Sequence, residues 1–211
     1  SVSIKDVVAN SDIIITMLTD DNAVEKVMGS DEFISNIKEG ATVIDMSSVN
    51  PVLTIKYSKI LKEKKINYLD APVSGGTVGA DEATLAIMIG GDEETFKNCY
   101  ELLKKMGNPT LVGPVSSGQI SKLANQIIVG VTIGAVAEAI TLCEKSGTNP
   151  NKMIEALSGG WADSKILQTH GKRMISRDFT PKGKTTTQLK DITNIVNAGK
   201  AVETHLPISS L

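Results

Sequence analysis

The chain has 211 residues, of which 41% are hydrophobic, 22% charged and 3% aromatic, enough for one large domain or two modest ones with a core of Val, Ile, Leu, Ala and Met. Its net charge of −2, with basic residues scattered, gives no electrostatic footprint for nucleic acid. Cys99 and Cys143 are far apart and fit no metal spacing, which suggests buried thiols in a reducing compartment.

The first part alternates helix and strand signals. SVSIKDVVANS reads as a short amphipathic helix, and DIIITML (12–18) as a buried, β-branched strand. DNAVEKVMG is a helix with Asp20 or Asp21 as N-cap and Gly29 as its stop. ATVIDMSS (41–48) is the next buried strand, followed by a helix over 50–65 with Pro51 at its first position. INYLDAPV and ATLAIMIGG read as strands, separated by Ser74-Gly75-Gly76. A capped helix fills 92–107, and NPTLVG leads into a last strand. Continuous apolar strands alternating with helices imply a parallel sheet covered on both faces.

After Gly113 the pattern turns all-helical. A long helix fits 117 to about 147, followed by helical patterns in NPNKMIEALSGG, SKILQTHGKRMIS and GKTTTQLKDITNIVNAGKAVE, and HLPISSL reads as the start of another. The expected division is 1–114, an α/β part, and 115–211, an all-α part. A dinucleotide fold opens with a strand, a Gly-rich turn and a helix, and no G-x-G-x-x-G is present, so either the α/β part is not a dinucleotide fold or its beginning is missing from these 211 residues. The apolar run 127–143 is short for a membrane span and carries Glu138; it reads as a helix buried in protein.

Four stretches carry candidate chemistry. Ser74, Gly75 and Gly76 follow a strand end, where open α/β sheets bind ligands, and the glycines free backbone N–H groups to face an anion. The competing reading is a tight turn. In SGQISKLANQ, Lys122, Asn125 and Gln126 share one helix face at the domain boundary. A lysine partly desolvated in a cleft there titrates nearer neutrality and can act as general acid or base; the competing reading is a solvated lysine. In QLKDI, Lys190 and Asp191 read in isolation as a surface charge pair. In DMSS, Ser47 and Ser48 either face a ligand at the sheet edge or cap the next helix. KGKTTT (182–187) copies the end of a P-loop, but position 178 is Asp and no buried strand precedes it. His170 and His205 have no partners at ligand spacing, so no metal is expected, and Trp161 reads as packing.

In order, ITML, DMSS, DAPVSGG with the following GA, ATL and GG, GQISKLANQ, GG.A.S, RM…DF.P and LKD resemble the β-hydroxyacid dehydrogenase family. The resemblance spans nearly the whole chain. It implies a Rossmann domain, a long interdomain helix and an all-α domain, with portions at both ends of the family's fold outside this chain. It implies NAD or NADP as cofactor and hydride transfer between a short β- or γ-hydroxyacid and its semialdehyde. By resemblance, Lys122 is the catalytic lysine, and Ser74, Gly75 and Gly76 seat the substrate carboxylate. Asn125 or Gln126 orients the substrate, Met17, Leu18 and Ser47 lie along the cofactor, and Lys190 reaches toward cofactor or substrate and closes the cleft. One departure is Ser116, where many relatives carry glycine. A homodimer or homotetramer is implied, in the cytoplasm or an organellar matrix, without nucleic acid or membrane partners. Two other readings are weighed. A decarboxylating 6-phosphogluconate-type enzyme needs a basic phosphate site and a longer helical domain, and neither is present. A noncatalytic scaffold that keeps the fold sits poorly with retention of Lys122. Without the pyrophosphate loop, the isolated chain is expected to bind a dinucleotide weakly.

Overall fold

The computed structural model describes residues 3–181 and 183–210. The first two residues of the opening helix pattern, Lys182 of the P-loop-like stretch and Leu211 of the closing one lie outside the described residues. The chain forms two compact units, 1–123 and 124–211.

In the first unit, α1 (Ile4–Ala9) leads to β1 (Ile13–Thr16), and α2 (Asp21–Met28) and α3 (Asp31–Ile34) lead to β2 (Thr42–Asp45). Helix α4 (Pro51–Glu63) then precedes β3 (Asn67–Asp70), β4 (Val73–Ser74), α5 (Gly76–Asp81) and β5 (Leu85–Gly91). Helix α6 (Glu93–Lys104), β6 (Gly107–Gly113) and the start of α7 (Ser117–Lys145) complete the unit. The boundaries follow local chemistry. The Asp20 carboxylate caps α2 by accepting from the Ala23 N–H, and Asp92 does the same for α6 through Thr95. Helix α4 has Pro51 in its first turn and is capped by Asn50, so neither Ser47 nor Ser48 is its cap.

Strands β1, β2 and β3 are parallel neighbours. Beyond them the sheet departs from the all-parallel expectation, because β5 runs antiparallel to both β3 and β4 and parallel to β6. The physical reason is the connection. Residues 75–84 are fewer than the dozen or so that a parallel crossover takes, so the chain returns along the strand it has just left. INYLDAPV is thus one edge path on β5, interrupted at Ala71-Pro72.

Alternate residues of β2 and β3 face two cores. Val43 and Tyr68 pack with Val24, Met28, Leu53 and Leu61 on one face. Ile44 and Leu69 pack with Ile87, Ile89, Cys99 and Leu103 on the other. β1 was expected to be buried throughout, but it lies at the end of the sheet and is covered on one face only, so Ile13 and Ile15 are exposed.

The second unit contains the rest of α7, then α8 (Pro150–Leu157), a π-helical turn (Leu167–Gly171) running into α9 (Lys172–Ile175), α10 (Thr185–Ala201) and a 3₁₀ turn (Ile208–Ser210). Val136, Ile140, Ile154 and Leu167 form its core. The expectation that the apolar part of α7 is buried in protein is not met within this chain. α7 is long and apolar enough to cross a membrane, and only 11% of its most apolar 18-residue stretch is buried. The unit's helices cover one stripe of it and leave Ile128 and Leu142 exposed.

Candidate active site

The last residues of the three parallel strands fall in one row: Thr16 pairs with Asp45, and Asp45 with Asp70. Both carboxylates are fully buried. Asp45 Oδ1 accepts from the Thr16 hydroxyl (2.8 Å) and the Ser47 N–H (3.0 Å). The Ser47 hydroxyl accepts in turn from the Leu18 N–H at 2.9 Å. Ser47 is therefore buried beneath the loop after β1, with its oxygen holding Leu18, while Met17 projects outward at 64% exposure.

Asp70 reaches the helix that carries the candidate lysine. Its Oδ1 accepts from the Ser116 N–H at 2.7 Å and its Oδ2 from the Gln119 N–H at 2.9 Å. The first N–H groups of a helix have no partners within it, and a carboxylate there satisfies them. Burial pushes the Asp70 carboxyl up to about 6, against the pull of those two N–H groups, and Asp45 adds to the rise. Gln119, 1% exposed, donates its amide to the Ser47 carbonyl (2.8 Å) and accepts from the Val49 N–H (3.1 Å). Lys122 lies one turn further along α7, half-buried. Gly118 permits this approach, since a Cβ there would lie 2.7 Å from Asp70 Oδ2. Ser116 sits at φ +81°, the left-handed region glycine occupies freely.

Ser74 ends β4 half-buried, and Gly75 and Gly76 are exposed with φ of +146° and +64°. The stretch is a chain reversal into α5, so the turn reading describes its backbone. It also leaves the opening N–H groups of α5 at the surface beside Ser74.

In the second unit, Gln126 donates to Asp191 Oδ2 at 2.6 Å, and Asn125 donates to Gln126 Oε1 at 2.8 Å. The Lys190 ammonium lies 3.2 Å from Asp191 Oδ1. Asp191 is 5% exposed, so LKD is not the surface charge pair its sequence suggested in isolation. Gln126 and Asp191 line a groove of about 1060 Å³ with Gly130, His170, Arg173 and Gln188. The RM…DF.P stretch is a staple: the Arg173 guanidinium donates to the Asp178 carboxylate and the Thr180 carbonyl. Hydrogen bonds from Thr180 and Arg173 hold the Asp178 carboxyl down at about 2. Among the described residues, no group of three or more His, Cys, Asp or Glu side chains is placed to hold a metal ion.

Residues 1–118 match the NAD-binding domain of 6-phosphogluconate dehydrogenase, and residues 116–211 match the NAD-binding region of NADP-dependent 3-hydroxyisobutyrate dehydrogenase. The chain is 44% identical over 199 residues to the 2-hydroxy-3-oxopropionate reductase of Escherichia coli K12, covering 93% of this chain and 68% of that protein. The chain belongs to the NAD(P)-dependent β-hydroxyacid dehydrogenase family. The 2-(hydroxymethyl)glutarate dehydrogenase of Eubacterium barkeri is 36% identical over 208 residues, covering 97% of this chain and 69% of its own length. Among solved structures, Mycobacterium tuberculosis 3-hydroxyisobutyrate dehydrogenase with L-serine matches all of this chain and 74% of its own at 28% identity, with a TM-score of 0.90. The chain thus spans about two thirds of the length of its curated relatives. As a member of this family its cofactor class is NAD or NADP.

Sequence reasoning missed Asp45, Asp70, Gln119 and Asp191 as parts of this architecture. The first two stood in plain view as single acidic residues closing apolar strands, a place where a carboxylate must find donors to be tolerated.

Proposed function

We propose that the full-length protein transfers a hydride between NAD(P)H and the aldehyde carbon of a short semialdehyde acid, and back from the hydroxyacid. The single observation that carries this reading is the Asp70 carboxylate, which joins the strand leading into Ser74-Gly75-Gly76 to the first turn of the helix bearing Lys122. A seat for an anion and a proton donor are thereby tied to one buried anchor.

Residues present here fit part of a dinucleotide site: the exposed Met17 and the Leu18 backbone follow the carboxyl end of β1, held from below by Ser47. When bound, the nicotinamide supplies or accepts the hydride. Lys122 donates a proton to the alkoxide oxygen as the aldehyde is reduced and removes it in the oxidative direction. Ser74, Gly75 and Gly76 hold the substrate carboxylate through the hydroxyl and backbone N–H groups and fix the distance to the reacting carbon. Of the two amides left open by sequence, we assign substrate orientation to Asn125. Gln126 is engaged at both ends, by Asp191 and by Asn125. Lys190, steadied by Asp191, supplies positive charge for the cofactor or substrate anion.

The named relatives act on acids with an alcohol or aldehyde carbon close to a carboxylate, which supports the substrate class. In this reading residues 1–114 form the dinucleotide-binding part and 115–211 the helical dehydrogenase part. The compartment is cytoplasmic or an organellar matrix, since relatives include bacterial proteins and a plant protein named as mitochondrial.

The test is turnover of NADH and NADPH by the full-length protein with tartronate semialdehyde, succinic semialdehyde and glyoxylate, beside Lys122→Ala. A loss of about 10²–10⁴-fold in kcat with cofactor binding intact is the expected result. Activity on none of the three would favour a noncatalytic role for the fold.

A further inference from the structure

A proton donor at Lys122 requires its ammonium to be held in place. Lys122 sits on the second turn of a helix whose first turn makes four buried hydrogen bonds to the carboxyl ends of two strands. Asp70, the last residue of β3, takes the N–H groups of Ser116 and Gln119. Gln119 sends its side chain to the segment after β2, donating to the Ser47 carbonyl and accepting from the Val49 N–H. Two N–H groups three residues apart on one carboxylate fix the height of a helix along its axis. A side chain held at both amide atoms fixes its rotation about that axis. The anchor is tightly packed, because added Cβ atoms at Gly90 and Gly118 would lie 2.5 and 2.7 Å from the Asp70 oxygens. Gly90 pairs with Asp70 across β3 and β5, so both faces of the carboxylate are enclosed.

We propose that Asp70 and Gln119 are positioning residues that set the height and rotation of α7 and thereby place the Lys122 ammonium relative to the Ser74-Gly75-Gly76 loop. The proposal rests on Lys122 as proton donor. Neither residue needs to touch the substrate: Asp70 acts four residues before Ser74 on one strand path, and Gln119 acts three residues before Lys122 on one helix. The same Gln119 side chain holds Ser47, which holds Leu18, so one residue couples the proton donor to the loop after β1.

The test uses the full-length protein with Gln119→Met, which keeps the length of the side chain and removes both amide contacts, and with Asp70→Asn. Each is also combined with Lys122→Ala. The readouts are kcat, KM for the semialdehyde and Kd for NADH or NADPH. In the parent background each variant is expected to lower kcat by about ten- to a hundred-fold, as a displacement of about 1 Å does, with cofactor Kd within about two-fold in Asp70→Asn and changed by less than kcat in Gln119→Met, which also loses its contact to Ser47. In the Lys122→Ala background the same changes are expected to cost little more, because groups that act through one another are not additive. Should Asp70→Asn fail to fold, Gln119→Met decides alone. Parent-like kcat in a folded variant overturns the proposal, as does an equal loss with and without Lys122, which marks a general structural role. Near-parent turnover of Lys122→Ala removes the proton donor and the proposal together. Loss in Lys122→Ala with parent kcat in Gln119→Met leaves the donor standing and removes only the positioning role.

Discussion

Ser116 shows how one residue can resist interpretation until its backbone is seen. Its φ of +81° is a conformation that costs a residue with a Cβ about 1–2 kcal/mol. Its N–H is held there by Asp70. The position thus favours glycine on backbone grounds, and the serine is a tolerated strain. Ser116→Gly is expected to stabilise the protein by about 0.5–1 kcal/mol after the entropy of an unfolded glycine is subtracted, raising Tm by about 1–3 °C by calorimetry. Asp70 gives a second expectation. Its carboxyl titrates at about 6 when folded and near the ordinary aspartate value of about 3.9 when unfolded. Between those values the folded state holds the proton that the unfolded state has lost, so its contribution to stability falls as pH rises, by up to about 3 kcal/mol, and stays low above 6. Denaturant titrations from pH 4 to 7 should show a steeper fall in the parent than in Asp70→Asn, where Asp45, also raised by burial, still contributes; parallel pH dependences would contradict it.

At the scale of elements, what was legible is what local chemistry fixes. Asp20, one of the two aspartates open as the cap of α2, and Asp92 each precede an apolar periodic run and each caps a helix, whereas the cap of α4 is Asn50 and neither of the serines before it. The α7 start at Ser117 and the separation of an α/β from an all-α region follow from the change of period alone. Strand direction was not legible, because a buried strand reads the same in either sense, and only the short connection through α5 selects the antiparallel return. The purpose of the acids that close β2 and β3 was not legible either. DMSS, DAPVSGG and GQIS look like three ligand motifs, yet the structure spends Asp45, Ser47, Asp70 and Gln119 on one another. Much of the chemistry-bearing appearance of these motifs is the cost of fastening three strand ends and a helix together, leaving Met17, Ser74 and the two glycines to face outward or remain partly open. The apolar stripe of α7 belongs to this scale as well. Ile128 is 65% and Leu142 68% exposed, on a helix of which only 11% of the most apolar 18-residue stretch is buried. Exposed apolar surface of that extent is characteristic of interfaces. We propose that it serves self-association; sedimentation of the parent is then expected to show a dimer or tetramer that Ile128→Glu with Leu142→Glu dissociates. A monomeric parent at micromolar concentration would contradict this.

At the scale of the whole molecule, the family's order of parts is carried by two units with separate polar systems. The first fastens sheet, loops and the start of α7 through Asp45, Asp70 and Gln119. The second links Asn125, Gln126, Asp191 and Lys190 on α7 and α10. Both systems include residues of the same 29-residue helix, and Lys122 lies between them in sequence. In the proposed reading, the proton donor thus sits on a continuous helix fastened on both sides of it along the chain. The central claim is therefore about that one ammonium. The most direct test is turnover of Lys122→Ala in the full-length protein, on whichever semialdehyde the parent reduces, with and without an added small primary amine. The account expects kcat to fall by about 10²–10⁴-fold with cofactor Kd preserved, and to recover in part as the amine is supplied. Turnover near that of the parent without amine would contradict it.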